Sequence, residues 1–411
     1  MKRIKIACYG IAEKNAGSGV GAQFLILEEL LKRGFQIDFY GRENLPFPHE
    51  LTEYSNFKSF YVKQTSLASF AESFPGGYNL LFVLYAYSEA LKQKILVNHQ
   101  QEKYDLLLCL ERRVLFRIDG VPALAWETGP LQTNLHFIRK LRKKIIALCG
   151  IMLYFKLELF YGFLKARAAR RECDNVDIII CGSQWSRDRF IEYGLKPQAV
   201  KVLPYPVDLN SFKSNISRIS EKQGNNKVFL WLGRSEPRKR LDLLLDAYAL
   251  LLQERQDVRL KIFGGFTWAA GYKKLIDSFE FPEYLEYQPS IDRDKVPELM
   301  EQCDVLIQPS EGENFGFSVA EALCCGLPVI VGSTNGTKDF ISSSSFVFED
   351  YTSECLKETM LQAIEVIEQK RVKLALDARE TAEKNFNVLN IVDSLESIFQ
   401  ELLELNKTKT A

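Results

Sequence analysis

Two trains of short apolar runs, each alternating with helical patterns, stand on either side of a polar stretch from Lys213 to Lys227. This order limits the fold more than any single residue does. In the first train, Ile4–Tyr9 is followed by a glycine-rich loop, an amphipathic helix over about Ala22–Lys32, Gly34 as its C-cap and a strand at Gln36–Tyr40. Further buried-strand candidates are Leu80–Leu84, Leu106–Leu110, Ala123–Trp126, Asp177–Cys181 and Val200–Leu203. The second train has strands at Val228–Leu232, Arg259–Phe263, Tyr284–Tyr287, Val305–Gln308 and Val329–Val331. Helices near Arg240–Glu254, Tyr272–Phe279, Val296–Gln302 and Val319–Cys325 separate them, and two long helices, about Glu354–Asn385 and Val388–Leu405, follow. Short apolar runs between helices indicate parallel strands covered on both faces. The expectation is an α/β protein of two doubly wound Rossmann-like domains, residues 1–209 and 210–387, facing a central ligand cleft.

At 411 residues the chain is long enough for two or three cores. Its 53 basic and 53 acidic residues cancel, so net charge points to neither nucleic-acid nor acidic partners. Nine cysteines, scattered in apolar surroundings such as Leu107–Leu110, read as reduced thiols of a cytoplasmic chain. The three histidines, His49, His99 and His136, leave little material for a zinc site. The N-terminus reads as a strand and not as a secretory signal.

Three stretches carry chemistry. In Glu313-Asn-Phe-Gly-Phe-Ser-Val-Ala-Glu321 two glutamates stand eight positions apart, a little over two helical turns, so both carboxylates are expected near the loop end of one helix face. Glu313 follows a strand end, the ligand-facing edge of such a sheet, and suits sugar hydroxyls or a developing positive charge; Glu321 suits a ribose diol. Asn314, Phe315 and Gly316 would offer backbone N–H groups at the next helix start. The alternative is two surface helix glutamates. Trp231-Leu-Gly-Arg-Ser-Glu-Pro-Arg-Lys-Arg-Leu241 sets Arg234 and Lys239 about a helix N-terminus, where an anion is already favoured; the ligand this suits is a diphosphate, and the alternative is a solvated basic helix start. Gly17-Ser-Gly-Val-Gly-Ala22, with Gly19 at its centre, allows close backbone approach to a phosphate. It also matches a dinucleotide fingerprint, although seven residues separate it from Tyr9, where that fingerprint follows its strand at once.

Between Arg139 and Arg171 lie ten basic residues against Glu158 alone, and Ile145–Leu164 is nearly long enough to span a bilayer. Lys156 and Glu158 in its middle would each cost ~2.5–3.5 kcal/mol to insert. One reading is an interfacial helix on anionic lipid at the inner membrane face; the other is a core helix with a solvated basic face.

Together these stretches resemble the retaining GT-B glycosyltransferases of family four, the glycosyl transferases group 1, most strongly over Val228–Asp339. Gly233-Arg234…Lys239 is similar to that family's donor-diphosphate pair, and Pro309-Ser310…Glu313…Glu321-Ala-Leu-Cys-Cys-Gly-Leu-Pro328 to its Glu-x(7)-Glu block. Gly19-Val-Gly21 resembles its glycine loop, and Pro204-Tyr-Pro-Val-Asp208 its entry to the linker. The resemblance implies a GT-B architecture whose last helix, about 388–406, crosses back to the first domain. It implies a retaining hexosyltransferase using a nucleoside-diphosphate sugar, with Arg234, Lys239 and Glu313 catalytic and Gly19, Asn314, Phe315, Gly316 and Glu321 binding the donor. The acceptor would be a cell-surface glycan or lipid-linked glycan. No Asp-x-Asp pair stands at a strand end, so no cofactor or obligatory metal is expected. The family often has His-Asp after a first-domain strand; here Ala125-Trp-Glu-Thr-Gly129 supplies Glu127 as the acceptor-side candidate. Alternatives are a GT-B epimerase, a nicotinamide oxidoreductase using Gly17–Ala22, and a non-catalytic binding protein.

Overall fold

The structure is a computed structural model describing residues 4–42, 45–63, 79–110, 116–127, 129–130, 132–159, 175–221, 226–266, 270–341 and 345–410. Its first half runs β1 (Lys5–Gly10), α1 (Ser18–Lys32), β2 (Gln36–Arg42), β3 (Phe57–Val62), α2 (Asn79–Gln101), β4 (Leu106–Leu110) and β5 (Ala123–Glu127). It continues with α3 (Gln132–Lys140), α4 (Arg142–Cys149), α5 (Ile151–Leu159), β6 (Ile178–Cys181), α6 (Gln184–Glu192) and β7 (Val200–Val202). After α7 (Ile216–Glu221) come β8 (Lys227–Leu232), α8 (Leu241–Glu254), β9 (Val258–Phe263), α9 (Lys273–Asp277), β10 (Leu285–Gln288) and α10 (Val296–Gln302). The chain closes with β11 (Val305–Gln308), α11 (Phe317–Cys324), β12 (Val329–Gly332), β13 (Phe346–Phe348), α12 (Ser353–Asn385) and α13 (Val388–Thr410).

Among the described residues the strands form two sheets, ordered β3-β2-β1-β4-β5-β6-β7 and β10-β9-β8-β11-β12-β13. Every pairing between these strands is parallel. The parallel pattern follows from composition: β1, β4, β5, β6, β11 and β12 are buried along their whole length. In each sheet the order reverses beside the first strand, at β1/β4 and at β8/β11. The crevice outside the carboxyl ends of those strands is where doubly wound sheets bind ligands.

The two halves share packing. Tyr205, fully buried at the start of the interdomain connection, has its ring centre 5.5 Å from Trp126, 5.3 Å from Phe315 and 5.0 Å from Phe317. Each buried ring contributes roughly 2–3 kcal/mol of apolar transfer, so this cluster ties the β11–α11 loop to the first domain. At the other end α13 lies on α1: Arg33 reaches Asp393 and Glu396 at 2.5 and 3.1 Å, and Phe35 stacks edge-on against Phe399.

Several local expectations change. Leu80–Leu84 belongs to helix α2 and not to a strand. Strands β3 and β13 are additional edge strands, the first half-exposed and the second three residues long. The polar linker contains α7, which lies against α12. Gly150, at φ 88°, ends α4 and separates it from α5, so the apolar stretch from Ile145 is two short helices. No helix among the described residues is long and apolar enough to cross a membrane.

Candidate active site

The cleft between the domains has a volume of about 990 Å³, at the upper end of ligand pockets. Its second-domain wall is built from loops at the carboxyl ends of β8, β9 and β11. The β8 and β9 loops are joined by Gly233 N–H donating to Phe263 O (3.0 Å) and Ser235 N–H donating to Gly265 O (2.9 Å). Gly264 has φ 144°, and a Cβ there would sit 1.7 Å from Gly233 O, so only glycine allows this approach.

Beyond Gly233 a short turn, Pro237–Lys239, ends at Arg240 in the left-handed region, φ 51°. That conformation costs about 1–2 kcal/mol for a residue with a side chain. Lys239 and Arg238 line the cleft, while Arg240 pairs with Glu311 at 2.6 Å and Asp242 at 3.4 Å. The chain thereby turns Arg238 and Lys239 onto one acid, Glu313, and Arg240 away onto two others.

Glu313 is the acid facing the cleft. It is 5% exposed; Lys239 bonds its Oε2 and Arg238 Nη1 lies 2.9 Å from the same oxygen. Burial pushes the carboxyl up, but the charges of Arg238 and Lys239 outweigh it and hold Glu313 at about 2. Its backbone is anchored by Glu313 N–H to Thr334 O (3.2 Å) and Gly336 N–H to Glu313 O (2.8 Å). Glu313 stands in this loop, ahead of the helix and not on it. Gly312, at φ 69°, turns the chain beforehand, and Gly316 is the N-cap of α11. The expectation of two carboxylates on one helix face is corrected accordingly.

Glu321, 4% exposed in α11, also lines the cleft. Burial raises its pKa, opposed by a hydrogen bond and ion pair from Arg293, whose Nη2 lies 2.6 Å from Oε1. Between the glutamates, the N–H groups of Asn314, Phe315 and Gly316 donate to no described residue, so three amides remain available at the helix start. The loop's rear is fixed by Gln308, which donates to Ser318 Oγ (2.6 Å) and accepts from Asn335 Nδ2 (3.1 Å).

The first domain contributes Gly17, Gly19, Val20 and Gln23 from the start of α1. Gln23 Nε2 donates to Leu110 O at 2.7 Å, leaving Oε1 buried without a partner. Arg234 lines the opposite wall, exposed and with no ion pair to a described residue. Seven of the sequence candidates therefore share one cleft: Gly19, Arg234, Lys239, Glu313, Asn314, Phe315 and Glu321. Gly316 lies just behind, since a Cβ there would meet Gln308 Oε1 at 2.5 Å. Glu127 is buried at the end of β5 and is not among the cleft-lining residues. Gln23 and the Gln308–Asn335 pair are additions that sequence reasoning did not single out.

The basic segment is partly spent on the second domain. Lys140 pairs with Glu311, and Lys144 with Asp242, carboxylates whose side chains are 4% and 1% exposed. Phe137 covers Gly312, and Leu148 O approaches Gly271 so closely that a Cβ there would lie 1.8 Å away. Arg139 pairs with Glu158 at 3.0 Å. Lys143 and Lys156 are exposed with no described partner. Lys165, Arg167, Arg170 and Arg171 lie outside the described residues.

Two facing Rossmann-like domains, with a ligand cleft at the switch points of both sheets, define a GT-B protein. Residues 212–384 match the model of the family Glycosyl transferases group 1. It is 28% identical over 177 residues to a D-inositol 3-phosphate glycosyltransferase of Kineococcus radiotolerans, covering 39% of this chain and 41% of the relative. It is 25% identical over 201 residues to the phosphatidylinositol N-acetylglucosaminyltransferase GPI3 subunit of Saccharomyces cerevisiae, covering 48% and 44%. The matched stretch thus spans less than half the length of these curated relatives. The fold matches Anabaena HepE solved with UDP-glucose, with a TM-score of 0.67 at 19% identity over 97% of this chain and all of that one. It also matches sucrose-phosphate synthase from Thermosynechococcus elongatus, with a TM-score of 0.74 at 16% identity over 98% of this chain and 100% of that one.

Proposed function

We propose that this protein transfers a hexosyl unit from a nucleoside-diphosphate sugar to an acceptor hydroxyl, with retention, in cell-surface glycan or glycolipid synthesis. The observation that carries it is Glu313 held by Arg238 and Lys239 in the same cleft as Glu321 and the open amides of Asn314–Gly316. Glu313 is the anion that Arg238 and Lys239 share. A donor diphosphate would take that place, with Arg234 completing the set. Glu313 and the three amides would then turn to the sugar, Glu321 to the ribose, and Gly19 would approach the phosphates from the first domain. As the bond from the anomeric carbon to the phosphate oxygen breaks, the acceptor oxygen bonds that carbon on the same face. Its proton passes to the departing phosphate oxygen, so no protein base is required. The charge opposing the leaving diphosphate comes from Arg234, Arg238 and Lys239, without an obligatory metal or other cofactor.

The acceptor would meet the first-domain side, beside the basic helices α4 and α5, and would be lipid-linked. Support for this comes from α5. Its inward face, Tyr154 and Leu157, packs on Ile138 and Ile145, while its outward face shows Ile151, Met152, Phe155 and Leu159. Met152 is 80% exposed, and Lys143 and Lys156 stand exposed on the same two-helix unit, as on a peripheral face against anionic lipid. Two of the relatives bear inositol or phosphatidylinositol acceptors in their names.

The test is release of nucleoside diphosphate from a panel of nucleotide hexoses, comparing wild type with Glu313→Ala and Lys239→Ala. Loss of release in both variants is expected; full release in both would defeat the assignment. For the surface, Met152→Glu with Phe155→Glu should abolish sedimentation with phosphatidylglycerol vesicles at low salt, whereas equal sedimentation would reject it.

A further inference from the structure

Among the charged residues that line the cleft, Arg293 is one to which the proposed transfer gives no role. This residue lies on the turn Arg293–Lys295 between β10 and α10 and is held from two sides. Its Nη2 donates to Glu321 Oε1 at 2.6 Å, and its guanidinium lies 4.6 Å from the centre of the Phe212 ring. Phe212 is 3% exposed and stands where the interdomain connection enters the second domain. Arg379 locks this platform to the helix that carries Glu321, donating to Phe212 O at 2.7 Å and Cys324 O at 2.8 Å. Arg293 itself lines the cleft and keeps a third of its side chain exposed.

We propose that Arg293 is the positioning residue of the nucleoside half of this cleft: docked on Phe212, it holds Glu321 as an oriented carboxylate, so that Oε2 and the second lone pair of Oε1 accept the two ribose hydroxyls. This rests on the transferase reading above and goes beyond it by naming what makes Glu321 competent. A buried carboxyl without a cation protonates, and a protonated carboxyl donates one hydrogen bond where the diol needs two accepted. A planar guanidinium can stack on Phe212 and still present an N–H edge to the carboxylate, which an ammonium does less well. The other titratable groups beside Glu321 are the thiols of Cys324 and Cys325, which burial pushes up and keeps neutral near pH 7. Asp208, Glu301 and Arg379 act on those thiols from the neighbouring elements.

The test is calorimetric titration of wild type, Arg293→Gln, Arg293→Lys and Glu321→Gln with UDP, GDP and ADP from pH 6 to 9. Melting curves at each pH confirm the fold. Glu321→Gln carries only the ionisation of the nucleotide's own phosphates and is the baseline. Relative to that baseline, Arg293→Gln should lose affinity as the pH falls from 9 to 6, with a slope approaching tenfold per pH unit, that of one added proton. Arg293→Lys, which keeps the charge, should restore the wild-type pH profile with a uniformly weaker affinity. A loss in Arg293→Gln that is the same at every pH, or no loss, would overturn the inference while leaving the transferase reading intact. Failure of wild type to bind any of the three nucleotides would overturn both.

Discussion

Replacing Glu313 by Gln separates the two roles this residue has been given. The wild-type carboxyl is held at about 2, against an ordinary 4.5, and each pKa unit is worth about 1.4 kcal/mol. The Glu313 side of this cluster therefore contributes about 3 kcal/mol to folding at neutral pH, partly offset by Lys239, whose pKa burial lowers. Because the folded pKa lies below the unfolded one, this contribution is complete above pH 4.5 and is lost as the pH falls from 4.5 toward 2. Glu313→Gln leaves two cations, with side chains 17% and 16% exposed, facing each other without their anion. The ligand-free variant should melt about 6–12 °C lower, and by the same margin from pH 5 to pH 8. A saturating nucleoside diphosphate supplies the missing anion, so it should raise the variant's melting temperature by more than the wild type's. Scanning calorimetry with and without UDP, GDP and ADP reads both effects. An unchanged melting temperature without ligand, or an equal gain with it, would refute the argument that Glu313 stands in for a phosphate.

Arg234→Ala should change stability by less than about 0.5 kcal/mol, since the side chain is exposed with no described partner, yet weaken nucleoside-diphosphate binding about tenfold in titration. Lys144→Ala deprives the buried Asp242 of its cross-domain cation; Arg240 remains 3.4 Å away, so urea unfolding should show a loss of about 1–2 kcal/mol and not the 3–5 of a fully orphaned charge. Gly129→Ala sets a Cβ 2.0–2.3 Å from the Asn314 side chain at a backbone φ of 135°, so it should lower nucleotide-sugar turnover by more than tenfold while the far-UV spectrum stays unchanged.

The sequence carried the architecture because fully buried parallel strands leave unbroken apolar runs, as in β4 and β12. It misled where a short apolar run has no period to separate strand from helix. Leu80–Leu84 is such a run, and the 23-residue length of α2 decides it. Edge strand β3, FKSFYV, is half-exposed and reads as a polar segment. In the cleft, Arg234, Lys239, Glu313 and Glu321 stood out through spacing around two glycine turns. The tie of Arg293 to Glu321 could not, because what marks it is contact with Phe212 and Glu321, 81 and 28 positions away in the chain. The basic segment shows the converse: its charge density was plain, but only the fold reveals that Lys140 and Lys144 turn inward onto Glu311 and Asp242.

The central claim is that this cleft holds a nucleoside-diphosphate sugar, with its diphosphate on Arg234, Arg238 and Lys239 and its ribose on Glu321. Isothermal titration of UDP-, GDP- and ADP-hexoses into the whole protein tests it most directly. The account predicts that at least one binds with one-to-one stoichiometry, and that Lys239→Ala and Glu321→Gln each weaken it at least about tenfold. No binding by any nucleotide sugar, or equal affinity in both variants, would contradict it.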